Sequence, residues 1–241
     1  MKISVVIPAF NEEKLLVQTL RSVKTAVRAF ERRGWTAELI VCDNNSTDRT
    51  AELARSEGAQ VVFEPVNQIS RARNTGAATA TGDWLIFVDA DSCPCPELFD
   101  EVAEVILQGQ SLGGGSLVHM ETAHFWARAA CRAWNRISRW KTWMAGSFIF
   151  CEARAFRQLG GLSQELYVSE EIEFSERLKA LARKEGKRVV ILHRHPLLTS
   201  ARKLHLYSPK DYFRLLARAV FTRGRVFKDR SACIPWYDGR R

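Results

Sequence analysis

The sequence predicts an α/β domain: a mostly parallel central sheet with helices on both faces, followed by a basic helical elaboration at the C-terminal end. Three observations carry that expectation. Short apolar runs rich in Val and Ile alternate with helix-like patterns through the first 95 residues. The connections between them are short, as crossover helices over a parallel sheet require. Acidic residues stand at the ends of two of these runs, Asp43 after the second and Asp89 and Asp91 after the fourth. Open α/β sheets build their ligand sites at the carboxyl ends of their strands.

Residues 3–7 form the first buried strand, closed by Pro8. Residues 8–13 open into a helix whose apolar face is Leu15, Leu16, Leu20, Val23 and Val27, and Arg32-Arg33-Gly34 ends it. Residues 37–42 are the second strand, closing on Asp43. Asn44 to Asp48 supply turn and N-cap chemistry for a helix that runs to about Gly58. Strand three covers 60–63, a helix covers 70–80 before Gly82, and strand four covers 83–88. No G-x-G-x-x-G or P-loop pattern follows the first strand, which argues against the dinucleotide-binding and P-loop folds.

In the second half, Gly113-Gly114-Gly115 opens a strand over 113–118 with room for close backbone approach. Residues 145–150 read as another strand. A helix begins at 169–174 and continues through Ile172, Leu178 and Leu181. After Gly186, residues 188–192 form a strand ending in His193-Arg194-His195-Pro196. A last helix is expected over 209–223.

Length and composition suit one globular domain: 241 residues, 46% hydrophobic and 26% charged. No run approaches the roughly 18–20 apolar residues of a membrane span. The first residues read as a strand rather than a signal peptide, so the expected location is cytoplasmic, at the inner face of a membrane. The six cysteines are dispersed and lack zinc-site spacing, which favours reduced structural thiols. The net charge of +9 is uneven. Residues 200–241 hold eleven Lys and Arg against three Asp, and residues 124–144 hold five basic residues and no acid. Such concentration suggests a polyanionic partner.

Within 124–144, Trp126, Ala130, Trp134, Ile137, Trp140 and Met144 recur at helical steps, while Arg128, Arg132, Arg136 and Arg139 follow another face. A helix packed on the sheet with solvated arginines is one reading. Peripheral association with an anionic membrane, or with a lipid-phosphate acceptor, is the second. No nucleic acid is expected.

Four motifs in order carry a resemblance: Ile7-Pro8-Ala9-Phe10-Asn11-Glu12, Asp43-Asn44-Asn45-Ser46-Thr47-Asp48, Ala72-Arg73-Asn74-Thr75-Gly76 and Asp89-Ala90-Asp91. Together they resemble the family 2 glycosyltransferases. Gly160-Gly161-Leu162, Ser169-Glu170-Glu171 and Thr199-Ser200-Ala201-Arg202 extend the likeness. The resemblance implies a GT-A fold and an inverting transfer from a nucleotide-diphospho-sugar, such as a UDP- or GDP-sugar, with Mn²⁺ or Mg²⁺ stabilising the leaving diphosphate. It divides the chain into a GT-A domain over 1–205 and a basic helix and tail over 206–241. Within the domain, 1–95 is the nucleotide-binding half and 96–205 the acceptor half.

By the same resemblance, Pro8, Ala9, Glu12 and Asp43 line the nucleotide pocket, and Arg73 approaches the base or diphosphate. Asp91 is the metal ligand. Asp89 lies near the ribose and sugar or supports the metal, and His193 or His195 is a candidate third ligand. Arg202 lies near the product phosphates. Glu171 stands where the family has its catalytic Asp, with Glu170 as rival; the extra methylene moves the carboxylate by about 1 Å, which matters for attack geometry. Two other functions compete: nucleotidyl transfer, which would favour a Gly-rich basic first loop, and a degenerate sugar-nucleotide-binding module.

Overall fold

The computed structural model describes residues 1–120, 122, 124–202 and 225–229. The expected helix over 209–223 and most of the basic tail lie outside the described residues. The chain runs β1 (Lys2–Ala9), α1 (Leu16–Glu31), β2 (Thr36–Asp43), α2 (Thr50–Ser56), β3 (Gln60–Phe63), α3 (Ile69–Thr79), β4 (Trp84–Val88) and β5 (Ser92–Cys93). It continues through α4 (Pro96–Gln108), β6 (Ser111–Met120), α5 (Phe125–Lys141), β7 (Phe148–Glu152), α6 (Ala153–Gln158), α7 (Glu170–Lys184) and β8 (Arg188–Thr199). A 3₁₀ turn at Arg225–Lys228 follows.

The eight strands form one sheet in the order β3-β2-β1-β4-β7-β6-β8-β5. The first four are parallel. β7 runs antiparallel to both β4 and β6, and β8 lies parallel to β6. This is the mostly parallel sheet expected, with β7 reversed at its centre and the two-residue β5 reversed at its edge.

Both sheet faces are covered, which explains why β1 and β4 are apolar at nearly every position. Successive β1 side chains serve opposite layers. Ile3, Val5 and Ile7 join the core packed with Leu20, Phe30 and Phe99 of α1 and α4. Val6 joins the other core, with Phe87, Phe156, Phe174 and Leu178. Gly76 lets α3 lie close on the sheet, because a Cβ there would collide with Val6 Cγ1. Gly114 does the same between strands, where a Cβ would strike the Val190 carbonyl.

Three features differ from the sequence reading. Helix α4 lies outside the elements that the sequence pattern predicts. Its signals are present: Pro96 in the first turn, a buried face of Leu98, Phe99, Val102, Ala103 and Ile106, and Gly109 closing it at φ 67°. The strand expected over 145–150 begins only at Phe148, and Ala145 accepts a turn hydrogen bond from the Phe148 N–H. Strand β8 does not stop at Leu192 but continues to Thr199. Its register against β6 jumps from Leu192–Ser116 to Leu197–Val118, so the residues between bulge from the ladder. Pro196, without an N–H to donate, belongs in such an interruption.

Candidate functional site at the carboxyl ends of the strands

Pro8, Ala9 and Asp43, expected to line a nucleotide pocket, gather where β1 and β2 end. Ala9 and Asp43 are register partners, and Pro8 is buried beside them. The loops beyond clasp each other: Asn11, at φ 52°, accepts from the Thr47 N–H, and its own N–H donates to Ser46 Oγ. Asp43 is buried, and its Oδ1 accepts from the Ser46 N–H at 3.2 Å. The Asn44 side chain ties this turn to the next loop, donating to the Glu64 and Val66 carbonyls and accepting from the Gln68 N–H.

Asp89 and Asp91 do not converge. β4 ends at Val88, so the alternation that would aim both carboxylates to one side is gone by Asp89. A turn follows, in which the Ser92 N–H donates to the Asp89 carbonyl. Asp89 Oδ1 instead accepts from Arg73 Nη2 at 2.8 Å, while Asp91 Oδ2 lies 3.6 Å from Arg202 Nη2. Two separate clusters result.

The first holds Glu12, Asp91 and Arg202. The Arg202 fork meets both Glu12 oxygens at 2.9 Å, the bidentate geometry that makes arginine–carboxylate pairs specific. Arg202 reaches this position because β8 pairs with β5: Ser92 faces Thr199, and the Ser200 N–H donates to the Asp91 carbonyl. Both partner carboxylates are nearly buried, and Arg202 Nε is buried without a partner among the described residues.

The second holds Arg73, Asp89, Glu170 and Glu171. The Arg73 side chain is 1% exposed, and its guanidinium forms part of a cavity wall. Nη1 donates to Glu170 Oε1 at 2.9 Å, and Nη2 donates to Asp89 and to the Gly146 carbonyl at 2.7 Å. Three carboxylates around one guanidinium account for its burial. Above this group opens a cavity of about 180 Å³ lined by Ile69, Ser147, Tyr167, Ser169 and the two glutamates. Burial raises the carboxyl of Glu170 to about 8, with repulsion from Glu171 adding and Arg73 opposing. Burial raises Glu171 in the same direction, against stabilising backbone N–H groups at the start of α7. Glu170 is committed to Arg73, whereas Glu171 borders the cavity beside Gly146, where an added Cβ would lie 3.5 Å from its Cδ.

The supporting loop is equally specified. Asn74 exchanges hydrogen bonds with both backbone groups of Leu162, and Arg177 donates to the carbonyls of Leu159 and Gly161. Gln68 donates to the Gln164 and Leu166 carbonyls, and the Tyr167 N–H donates to the Phe227 carbonyl. No sequence signal pointed to Gln68, Gly146 or Tyr167, because their roles come from distant pairings.

His193 is the clearest departure. It is exposed in the β8 bulge, and its neighbours turn toward α4: Arg194 pairs with Glu104, and His195 influences Glu97. The structure brings neither histidine to Asp91. Among the described residues no group of three His, Cys, Asp or Glu is poised around a metal. The donor chemistry at Asp91 nonetheless fits a hard cation, because Mg²⁺-type ions in phosphate sites take one or two carboxylates and complete their shell with phosphates and water. Asp91 also borders a cavity of about 220 Å³ lined by Gln18, Thr199 and Ser200.

Comparison with known proteins bears on the fold and the family. The chain is 30% identical over 164 residues to an undecaprenyl-phosphate 4-deoxy-4-formamido-L-arabinose transferase of Klebsiella pneumoniae, covering 65% of this chain and 49% of the relative. It is 31% identical over 124 residues to a dolichol-phosphate mannosyltransferase of Pyrococcus furiosus, covering 48% and 33%. The chain thus spans half or less of these relatives. The fold matches the Pyrobaculum calidifontis mannosyltransferase PcManGT, in complex with GDP-Man and Mn²⁺, at TM-score 0.68 and 16% identity over 94% of this chain and 62% of that one. It matches S. aureus TarS, in complex with UDP-GlcNAc, at TM-score 0.65 and 20% identity over 84% and 59%. These likenesses show a GT-A fold. The model of glycosyl transferase family 2 matches residues 4–158, well over half of the sequence, and the chain belongs to that family.

Proposed function

We propose that this protein transfers a sugar from a nucleoside-diphosphate sugar to an acceptor hydroxyl or phosphate, with inversion at the anomeric carbon. The observation that carries the reading is the pairing of two adjacent clusters at one sheet end: Glu12–Arg202–Asp91 on the donor side, and Arg73–Asp89–Glu170–Glu171 around a cavity.

Pro8, Ala9 and Asp43 bind the nucleoside in the crevice where β1 and β2 end. Arg202 places a cation beside the leaving diphosphate, and Asp91 would hold a divalent ion there. When bound, Mn²⁺ or Mg²⁺ supplies Lewis-acid stabilisation of the departing diphosphate. Glu171 takes the proton from the acceptor oxygen as that oxygen bonds to the anomeric carbon and the carbon–phosphate-oxygen bond breaks. Its raised carboxyl suits a general base working near neutral pH. Arg73 and Glu170 fix Asp89 and the start of α7 so that Glu171 stays in position. The lipid phosphates in the names of the relatives support a lipid-linked acceptor.

The test is release of UDP or GDP from a panel of sugar nucleotides, with and without Mn²⁺. Release that depends on metal and is lost in Asp91→Asn is expected. Release of pyrophosphate from a nucleoside triphosphate instead would point to nucleotidyl transfer.

A further inference from the structure

Helix α5 is poorly explained by packing. Of its seventeen residues only Ala127 and Ser138 are buried. It is anchored to the sheet by one short seam, where Asn135 exchanges hydrogen bonds with both backbone groups of Val118 and Cys131 Sγ donates to the Val118 carbonyl. The opposite side is not a plain polar face. Phe125, Ala129, Arg132, Arg136 and Trp140 follow one another at three- and four-residue steps, and all are exposed. Phe125 is 72% and Trp140 77% exposed, large aromatic surfaces left in water. Lys141 sits over the Trp140 ring at 4.0 Å, and Arg128 and Arg139 extend the basic row. The helix contains no acidic residue.

We infer that α5 is an interfacial helix that lays this domain on an anionic membrane surface, its two end aromatics inserted between headgroups and its arginines paired with lipid phosphates. Aromatic residues beside a continuous basic row are the composition of helices that lie in the membrane interface. Charge selects the occupant. A second copy would set one arginine row against another, and residues 200–241, with a net charge of +8, would be repelled in the same way. Two aromatics separated by about 22 Å along the helix, with alanines between them, form a wedge for a lipid interface rather than a stacking platform for bases. Five residues past Lys141 comes Gly146, in the wall of the cavity that holds Glu171. A membrane bound along α5 therefore lies beside the acceptor side of the site. The identification of the acceptor as lipid-borne rests on the transfer reading; the membrane contact does not.

Co-sedimentation of the full chain with phosphatidylglycerol vesicles, and separately with phosphatidylcholine vesicles, tests the inference. Binding to phosphatidylglycerol that weakens with salt is expected, with much less on phosphatidylcholine. Arg132→Gln combined with Arg136→Gln should lower affinity roughly thirtyfold, and Phe125→Ser with Trp140→Ser should lower it while circular dichroism stays unchanged. Equal binding to both lipids, unaltered binding by the arginine variant, or binding of RNA in preference to phosphatidylglycerol would overturn it. Nucleoside-diphosphate release without vesicles keeps the two claims apart. Loss of vesicle binding with donor turnover intact sinks the membrane contact alone, and vesicle binding without turnover supports the contact while sinking the transfer reading.

Discussion

At the scale of single residues, Glu170 shows what burying carboxylates costs. Its carboxyl is raised from an ordinary 4.5 to about 8, burial being the largest cause. An acid whose native pKa lies above its unfolded value binds more protons when folded across that interval. Stability from this group is therefore complete below about 4.5 and is lost as pH rises through about 8. Glu38 has the opposite sign. Hydrogen bonds from Lys2, Ser4 and Thr81 hold it at about 2 against its burial, so its contribution is present above 4.5 and fades as pH falls toward 2. Chemical unfolding of wild type and Glu170→Gln between pH 5 and pH 8 reads the difference: the variant should show a flatter decline with rising pH. These roles were only half legible. Glu170 and Glu171 stand out in the sequence, but which of them meets Arg73 depends on the rotation of α7 against α3.

At the scale of elements, Arg73 joins three of them. It sits on α3, and its bonds reach Asp89 after β4, Glu170 at the start of α7 and Gly146 before β7. Replacing it by Met leaves buried carboxylates facing one another. Removing one partner of a buried ionic group costs about 3–5 kcal/mol, so Arg73→Met should lower the melting temperature markedly. The loss should shrink at acid pH, where protonation relieves the repulsion; a deficit independent of pH would assign it to packing instead. The alternating strands and helices of the first half were readable because each crossover is local. Three things were not: the Asp89–Asp91 divergence, which depends on the chain turning as soon as β4 ends at Val88; the β8 bulge, set by register against β6; and the seating of Arg202, set by the pairing of β5 with β8. All arise from partners distant in sequence.

At the scale of the molecule, the sheet places the crevice where β1 and β2 end next to a cavity built by the turn before β7, the loop before α7, and α7 itself; in the proposed transfer these are the donor and acceptor sides. The reversed β7 makes this possible, because the turn leading into it brings Gly146 and Ser147 to the edge where β4 releases Asp89. Helix α5 enters the same turn from outside. Among the described residues no helix is long and apolar enough to cross a membrane. The motifs were legible in the sequence, but the pairings of Arg73 with Glu170 and of Arg202 with Glu12 were not, because their partners lie 97 and 190 residues apart.

The most direct test of the central claim is the rate of nucleoside-diphosphate release by wild type and Glu171→Gln, with the sugar nucleotide that turns over fastest. Removal of a general base costs about 10²–10⁴-fold, so the variant should lose turnover by roughly that factor while donor affinity and folding are retained. Equal turnover in the two proteins, or a loss explained wholly by weaker donor binding, would contradict the assignment of Glu171 as the base.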